Sequence, residues 1–270
     1  MKLTERHYAE EQFHNAKAGE NKKDFYALGA IEIADRYWFH LCLTSLPEQK
    51  LSWDEVRKSE FEFTGSLSGK VVLDLGCGNG YNAIKFAKMG ALVYAVDISA
   101  NMVKSTDKLA KKYGLSDVLM VRQMSAEKLE FPSGMFDLVA GHSILHHTDL
   151  SLTRNEVRRV LKPGGKAVFL EPLGHNLFIN LFRMITPWRR TKAERPLRYK
   201  DIEIFAEPFA RANYQVFYLF ALAAFALLPL QKKKLFQFAI NRLNHLDSLI
   251  IRKFPALGRL AWIIVIELFV

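Results

Sequence analysis

Residues 71–80 read VVLDLGCGNG, a short apolar run that meets glycine at three alternate positions, Gly76, Gly78 and Gly80. Val71, Val72, Leu73 and Leu75 with one acid among them, Asp74, have the pattern of a buried parallel strand. A strand that runs straight into such a turn brings bare main chain up to a ligand, because a side chain at a tight positive-φ position would strain the turn and hold the ligand away. The following residues place Ala83, Ile84, Phe86 and Ala87 on one face of a helix that Gly90 can end. A strand, glycine turn and helix in this order imply an α/β chain in which parallel strands alternate with helices on both faces of one sheet.

The next strand, Leu92 to Val96, ends in Asp97, an acid that can accept both hydroxyls of a ribose. A dinucleotide fingerprint would require a third glycine at position 81, where this chain has Tyr81, so a nicotinamide enzyme is disfavoured. With no diphosphate to cradle, Asp74 suits a cationic ligand. Met102, one turn into the helix capped by Ser99, is placed to lie against a nucleoside held at Asp97.

The run D-x-G-C-G-x-G, followed by V-D-I-S, resembles the first motif and the ribose-binding acid of class I S-adenosylmethionine-dependent methyltransferases. Similar segments follow in the family's order: Ser125-Ala126-Glu127, Phe136-Asp137-Leu138-Val139, Leu145-His146-His147, and Arg159 through Gly165. The resemblance covers roughly residues 69–171. It implies a Rossmann-like seven-stranded sheet whose last strand is antiparallel, and S-adenosyl-L-methionine as cofactor. By the same resemblance Asp74 with Gly76, Cys77, Gly78 and Gly80 would hold the methionine end, Asp97 the ribose, Ile98 and Met102 one side of the adenine, and Ala126 and Glu127 the other.

His142, at the carboxyl end of the fourth strand, is the candidate catalytic residue, since ligands of open α/β sheets bind there and imidazole can act as a base near neutral pH. The alternative at this position is a backbone contact with the cofactor alone. Past the fifth strand, His175, Asn176, Arg183 and Trp188 are the candidates for contact with the methyl acceptor. No metal site is expected, because Cys42 and Cys77 have no ligand spacing and form no disulfide framework.

Three parts are expected. Residues 1–65 form N-terminal helices, in which Ile31, Ala34, Tyr37, Trp38 and Leu41 recur at helical spacing and which by the same resemblance fold over the cofactor as a lid; Tyr8, Phe13 and His14 are candidates to take part, with plain packing as the commoner role of such aromatics. Residues 66–222 and 261–270 form the core, with the sixth strand at 214–222 and a helix at 201–212 before it. Residues 223–260 form a helical cap insertion, in which Leu235, Phe236, Phe238, Ala239, Leu243, Leu246, Leu249 and Ile250 read as one apolar stripe beside Lys232, Lys233, Lys234 and Arg242.

The formal charge of +10 is unevenly spread: from Pro172 onward fifteen Lys and Arg stand against six Asp and Glu. An anionic or apolar small-molecule substrate presented at a membrane surface accounts for that surplus together with the Phe- and Leu-rich insertion. A solvated basic face is the plainer account. Nucleic acid is disfavoured because the basic residues are interleaved with long aliphatic stretches. The charged amino terminus is not a secretory signal and the longest uncharged apolar run, 216–230, is too short to span a bilayer, so a cytoplasmic protein at most peripheral to the membrane is expected. No protein partner is expected. Two further readings stay open: a non-catalytic S-adenosylmethionine-binding module and a nucleic-acid methyltransferase.

Overall fold

The computed structural model describes residues 3–17, 32–43, 67–185, 197–230 and 232–270. Seven strands form one sheet in the order β3-β2-β1-β4-β5-β7-β6. They are β1 (Val71–Leu75), β2 (Leu92–Asp97), β3 (Leu119–Gln123), β4 (Phe136–His142), β5 (Leu161–Pro172), β6 (Arg211–Phe217) and β7 (Ile263–Phe269). The pairs from β3 through β5 are parallel, while β7 runs antiparallel to both β5 and β6. This is the sheet that the motifs imply.

Side chains along β1 alternate between two apolar layers, as the twofold period of a strand requires. Val72 joins the layer containing Ala83 and Phe86 of α3 (Tyr81–Lys88) and Trp38 of α2 (Glu32–Leu43). Leu73 and Leu75 join the opposite layer, with Val157 and Val160 of α5 (Leu150–Val160) and Ile202 and Phe205 of α7 (Tyr199–Ala206). Between them in the chain, α4 (Ala100–Lys112) starts at Ser99, whose hydroxyl accepts from Met102 N.

Helix α2 is fixed from within. The Trp38 indole N–H donates to the Val168 carbonyl at 3.1 Å, and the buried Lys166 ammonium reaches both the Leu41 carbonyl and Glu267. A lysine there is tolerated because a carboxylate and a helix-end carbonyl replace its water.

The expected boundaries need correction after β5. The expected helix at 201–212 begins earlier, at Tyr199, where Arg198 N donates to Asp201 in a capping box, and it stops at Ala206, ahead of Pro208, which has no N–H to continue the helical ladder. The expected sixth strand at 214–222 lies at 211–217 instead. It ends because Tyr218 turns to φ 64, and the next amides leave the sheet: Tyr218 N donates to Asn244, and those of Leu219, Phe220 and Ala221 donate to Asp247. The apolar run that reads as strand continues as a 3-10 segment, Ala221–Leu230.

Asn244 and Asp247 belong to α8 (Lys233–Lys253), the main element of the insertion, which closes with a second 3-10 segment at Pro255–Leu260. The single apolar stripe expected on this helix divides into two faces. Phe236 and Ile240 are buried and Ala239 and Leu243 partly so, whereas Leu235, Phe238, Leu246 and Leu249 face outward. The inward face carries two polar residues, Asn244 and Asp247, because its work includes capping the chain that leaves β6. The remaining helices among the described residues are α1 (Leu3–Lys17) and α6 (Leu177–Ile185). No helix among the described residues is long and apolar enough to cross a membrane.

Candidate active site

The glycine turn after β1 is pinned to β2, since Gly76 N and Cys77 N both donate to the Val96 carbonyl at 2.9 Å. Its glycines do different things. A Cβ on Gly76 would strike Ile144, and one on Gly80 would strike Thr106, both under 3 Å, so these two permit close packing. A Cβ on Gly78, at φ 51, would meet nothing within 4 Å, so here the main chain borders open space. Cys77 is buried beside Thr106, and burial pushes its thiol well up, away from a reactive thiolate.

Asp97 braces this turn. One carboxylate oxygen accepts from Gly78 N and the other from Ser99 N, each at 2.9 Å. Each oxygen keeps a further lone pair, so the same group can still accept a pair of ligand hydroxyls with its orientation already set. Ile98 and Met102 follow directly, Met102 buried and Ile98 partly exposed.

Asp74 lies on the α2 and α3 side of the sheet, almost wholly buried, and its Oδ2 has no hydrogen-bond partner. Burial pushes its pKa up to about 7, helped by the charge of Asp97 and opposed by His142 and the Ala83 amide. An orphaned buried carboxylate oxygen beside an open stretch of glycine backbone fits a cationic ligand such as the ammonium and sulfonium of S-adenosylmethionine.

His142 ends β4 with its Nε2 2.8 Å from Asp35 Oδ1 and its ring edge-on to Trp38, centroids 5.4 Å apart. Burial pulls the imidazole pKa down, but the hydrogen bond and charge of Asp35, with Glu171 and Asp74 behind, outweigh it and leave the value raised. Asp35 escaped the sequence reading. The signal was an acid flanked by Ile33, Ala34, Tyr37 and Trp38, on a helix read only for its packing residues. Glu171, at the end of β5 and fully buried, was missed too. Its carboxylate accepts from Ile144 N and Leu145 N and meets His146 Nδ1 at 2.7 Å, thereby shaping the 3-10 turn Leu145–His147. The chain enters that turn through Ser143 at φ 57, a position that L residues rarely adopt.

Helix α1 lies against the Asp97 side of this cleft. Asn15 Oδ1 accepts from Ser99 Oγ at 2.6 Å and from Asn101 N at 3.1 Å, Glu11 accepts from Gln123, and Gln123 also donates to the Ile98 carbonyl. Glu127, beside the buried Ala126, holds the other end: it accepts from Arg6, meets His7 Nε2 at 3.0 Å, and accepts from Asp149 N at 2.7 Å. Both carboxylate oxygens of Glu127 are thus engaged by protein, and its visible work is to fasten α1.

The expected acceptor contacts are dispersed. His175 is exposed; Asn176 is buried, with its amide turned toward the carbonyls of Tyr218, Leu219 and Leu260, so it joins the start of α6 to the ends of the insertion. Arg183 lies on α6, with its side chain outside the described residues, and Trp188 lies outside them altogether.

A seven-stranded sheet reversed at β7, with Asp74 leading into a glycine turn that Asp97, the acid ending β2, braces, defines a class I S-adenosylmethionine-dependent methyltransferase fold. In agreement, residues 73–169 match the family described as a methyltransferase domain. Residues 73–169 thus resemble a methyltransferase domain of this class, and the cofactor that goes with the match is S-adenosylmethionine. It is 41% identical over 152 residues to a sterol 24-C-methyltransferase of Gibberella zeae, covering 53% of this chain and 39% of that protein. It is 38% identical over 146 residues to a ubiquinone biosynthesis O-methyltransferase of Xanthomonas oryzae pv. oryzae, covering 52% and 57% of the two. The chain therefore spans roughly two to three fifths of these relatives' lengths. Geranyl diphosphate C-methyltransferase from Streptomyces coelicolor A3(2) superposes with a TM-score of 0.60 over 100% of this chain and 99% of that one; at 12% identity it shares the fold.

Proposed function

We infer that this chain transfers a methyl group from S-adenosylmethionine to an apolar small molecule, with His142 as the base where the acceptor must lose a proton. The observation that carries this reading is the His142–Asp35 pair standing at the carboxyl end of β4, within electrostatic reach of Asp74, one of whose carboxylate oxygens is orphaned. When bound, the cofactor supplies an electrophilic methyl. Asp74 and the Gly78 main chain hold its cationic end, Asp97 its ribose, and α1 covers its adenosine as a lid. Asp35 orients the imidazole and raises its affinity for the proton it takes. The rest of the rate comes from alignment of acceptor and methyl.

Apolar acceptors are favoured by two features. The named relatives act on a sterol and in ubiquinone biosynthesis, one at carbon and one at oxygen. In addition the helices after the core expose apolar rows: Leu177, Leu181 and Met184 on α6, and Leu235, Phe238, Leu246 and Leu249 on α8, the latter row beside Lys234 and Arg242. Such a helix can rest on an anionic lipid surface and receive a substrate from it. The test is methyl transfer from labelled cofactor to a panel of sterol, quinol and water-soluble phenol acceptors presented in anionic or neutral vesicles. Transfer to the apolar acceptors, faster in anionic vesicles, is the expected result. Transfer to water-soluble acceptors alone overturns the substrate class, and cofactor binding without any transfer favours a non-catalytic module.

A further inference from the structure

Three side chains outside the roles assigned above converge at the edge of the lid. Glu10 and His14 are one turn apart on α1, and His147 ends the 3-10 turn that follows β4. Glu10 Oε2 is 2.9 Å from His147 Nδ1 and 3.6 Å from His14 Nε2, and one donor atom from each residue lies within 4.8 Å of the other two. The two imidazoles meet edge-on with centroids 5.0 Å apart. Buried His147 Nδ1 sits at ion-pair distance from the carboxylate without the alignment of a hydrogen bond.

These separations are those of ligands around a small cation. With nitrogen and oxygen at about 2.0–2.2 Å from zinc, neighbours in a tetrahedron stand about 3.3–3.5 Å apart. The two Glu10 distances bracket that figure, and a modest ring rotation closes the third edge. We propose that Glu10, His14 and His147 bind a divalent transition cation of the zinc class, which fastens helix α1 to the turn after β4. Two imidazoles and one carboxylate select zinc, cobalt or nickel over magnesium or calcium, which prefer all-oxygen sites. The sequence reading expected no metal because it weighed cysteine spacing, whereas this set comes from segments more than 130 residues apart that only the docking of α1 brings together.

The consequence concerns the lid. Its other attachments include the Asn15 contacts to Ser99 and Asn101 and the Glu11 contact to Gln123 at one end, and Arg6 and His7 on Glu127 at the other. A cation at Glu10 and His14 would lock the middle of the helix, so cofactor exchange would depend on metal occupancy.

The test uses the full chain stripped with a chelator and titrated with Zn²⁺ and with Co²⁺. One equivalent should bind, with the visible absorption of four-coordinate cobalt, and millimolar Mg²⁺ should not compete. His14→Gln and His147→Gln keep volume and hydrogen-bonding capacity, and each should weaken zinc binding by about 100-fold or more at unchanged far-UV circular dichroism. Bound zinc should also slow proteolytic cleavage within α1. The proposal is overturned if the unaltered chain binds less than one equivalent or gives no four-coordinate cobalt spectrum, a result that stands even should a variant fail to fold. It is overturned equally if both folded variants bind zinc as the unaltered chain does.

Discussion

The Nε2 of His142 and the Oδ1 of Asp35 are 2.8 Å apart, although one ends the fourth strand and the other lies on a helix that precedes the first. Packing joins them: Trp38, on the same helix as Asp35, sits edge-on to His142 and is tied to Val168 of the neighbouring strand. The proposed base is therefore oriented by an element outside the motif-bearing core. His142→Ala should lower turnover by about 10²–10⁴ while cofactor affinity holds. Asp35 raises the imidazole pKa, so activity in the unaltered enzyme should rise with pH through a value above the ordinary histidine range. Asp35→Asn should move that acidic limb to lower pH, whereas a purely packing role for Asp35 would leave the profile in place.

Asp74 carries a raised pKa of about 7, so its sign of linkage is the reverse of a salt-bridged acid. The folded protein holds a proton there that the unfolded chain releases near pH 4, and stability from this group falls as pH rises from about 4 through 7. Without ligand, Asp74→Asn should raise the melting temperature at pH 8 by several degrees, on the order of 1–3 kcal/mol, and leave it nearly unchanged at pH 4. The same variant should bind S-adenosylmethionine poorly. Calorimetry at pH 7 in buffers of different ionisation enthalpy should show proton release on binding to the unaltered chain and little on binding to the variant.

Asp97 serves both the turn and the proposed ribose contact. Asp97→Asn should weaken cofactor affinity about thirtyfold or more, the loss expected for two charge-assisted hydrogen bonds. It should also lower stability, because Gly78 N and Ser99 N lose a carboxylate acceptor. A variant destabilised but of unchanged affinity would reduce Asp97 to a turn brace.

Glu127 is argued to hold the lid through Arg6 and His7. Glu127→Ala should speed dissociation of S-adenosylmethionine in stopped-flow chase by about tenfold, with increased hydrogen exchange across α1. Unchanged exchange in α1 would show that its contacts through Glu10, Glu11 and Asn15 suffice.

The outward row on α8 predicts lipid contact. In flotation with anionic vesicles the unaltered chain should rise with the lipid at low salt and less so at high salt. Phe238→Ser with Leu246→Ser should remove flotation without changing the melting temperature appreciably, since both side chains are exposed, by 60% and 47%. Flotation retained by the double variant would place the contact elsewhere.

The core strands and helices were legible because their signals are local: an apolar run of five or six residues, a glycine, a cap such as Ser99. The acids at Asp74 and Asp97 were legible for the same reason, each ending or interrupting a strand. Asp35 and Glu171 were not, because nothing within their own segments marks a partner that lies 107 and 25 residues away. Helix α8 misled in another way. Its apolar residues exceed one face, and periodicity alone could not reveal that Asn244 and Asp247 turn inward to cap the chain leaving β6. Tertiary demand overrode the simple amphipathic pattern.

Phe217 and Ile263 pair across β6 and β7, so residues 218–262 leave and re-enter the sheet at adjacent points about 5 Å apart. The excursion is a closed loop whose ends are held by strand pairing, with Asn244 and Asp247 from within it capping the amides that leave β6. Replacing it with a tight turn would leave the register of both strands available, and lengthening it would add little entropic penalty, since loop closure grows only with the logarithm of length. If this excursion is the roof of the proposed acceptor site, it is consequently an exchangeable part: the chain can acquire a different roof, or a different surface to rest on, while Asp74, Asp97 and His142 stay where they are.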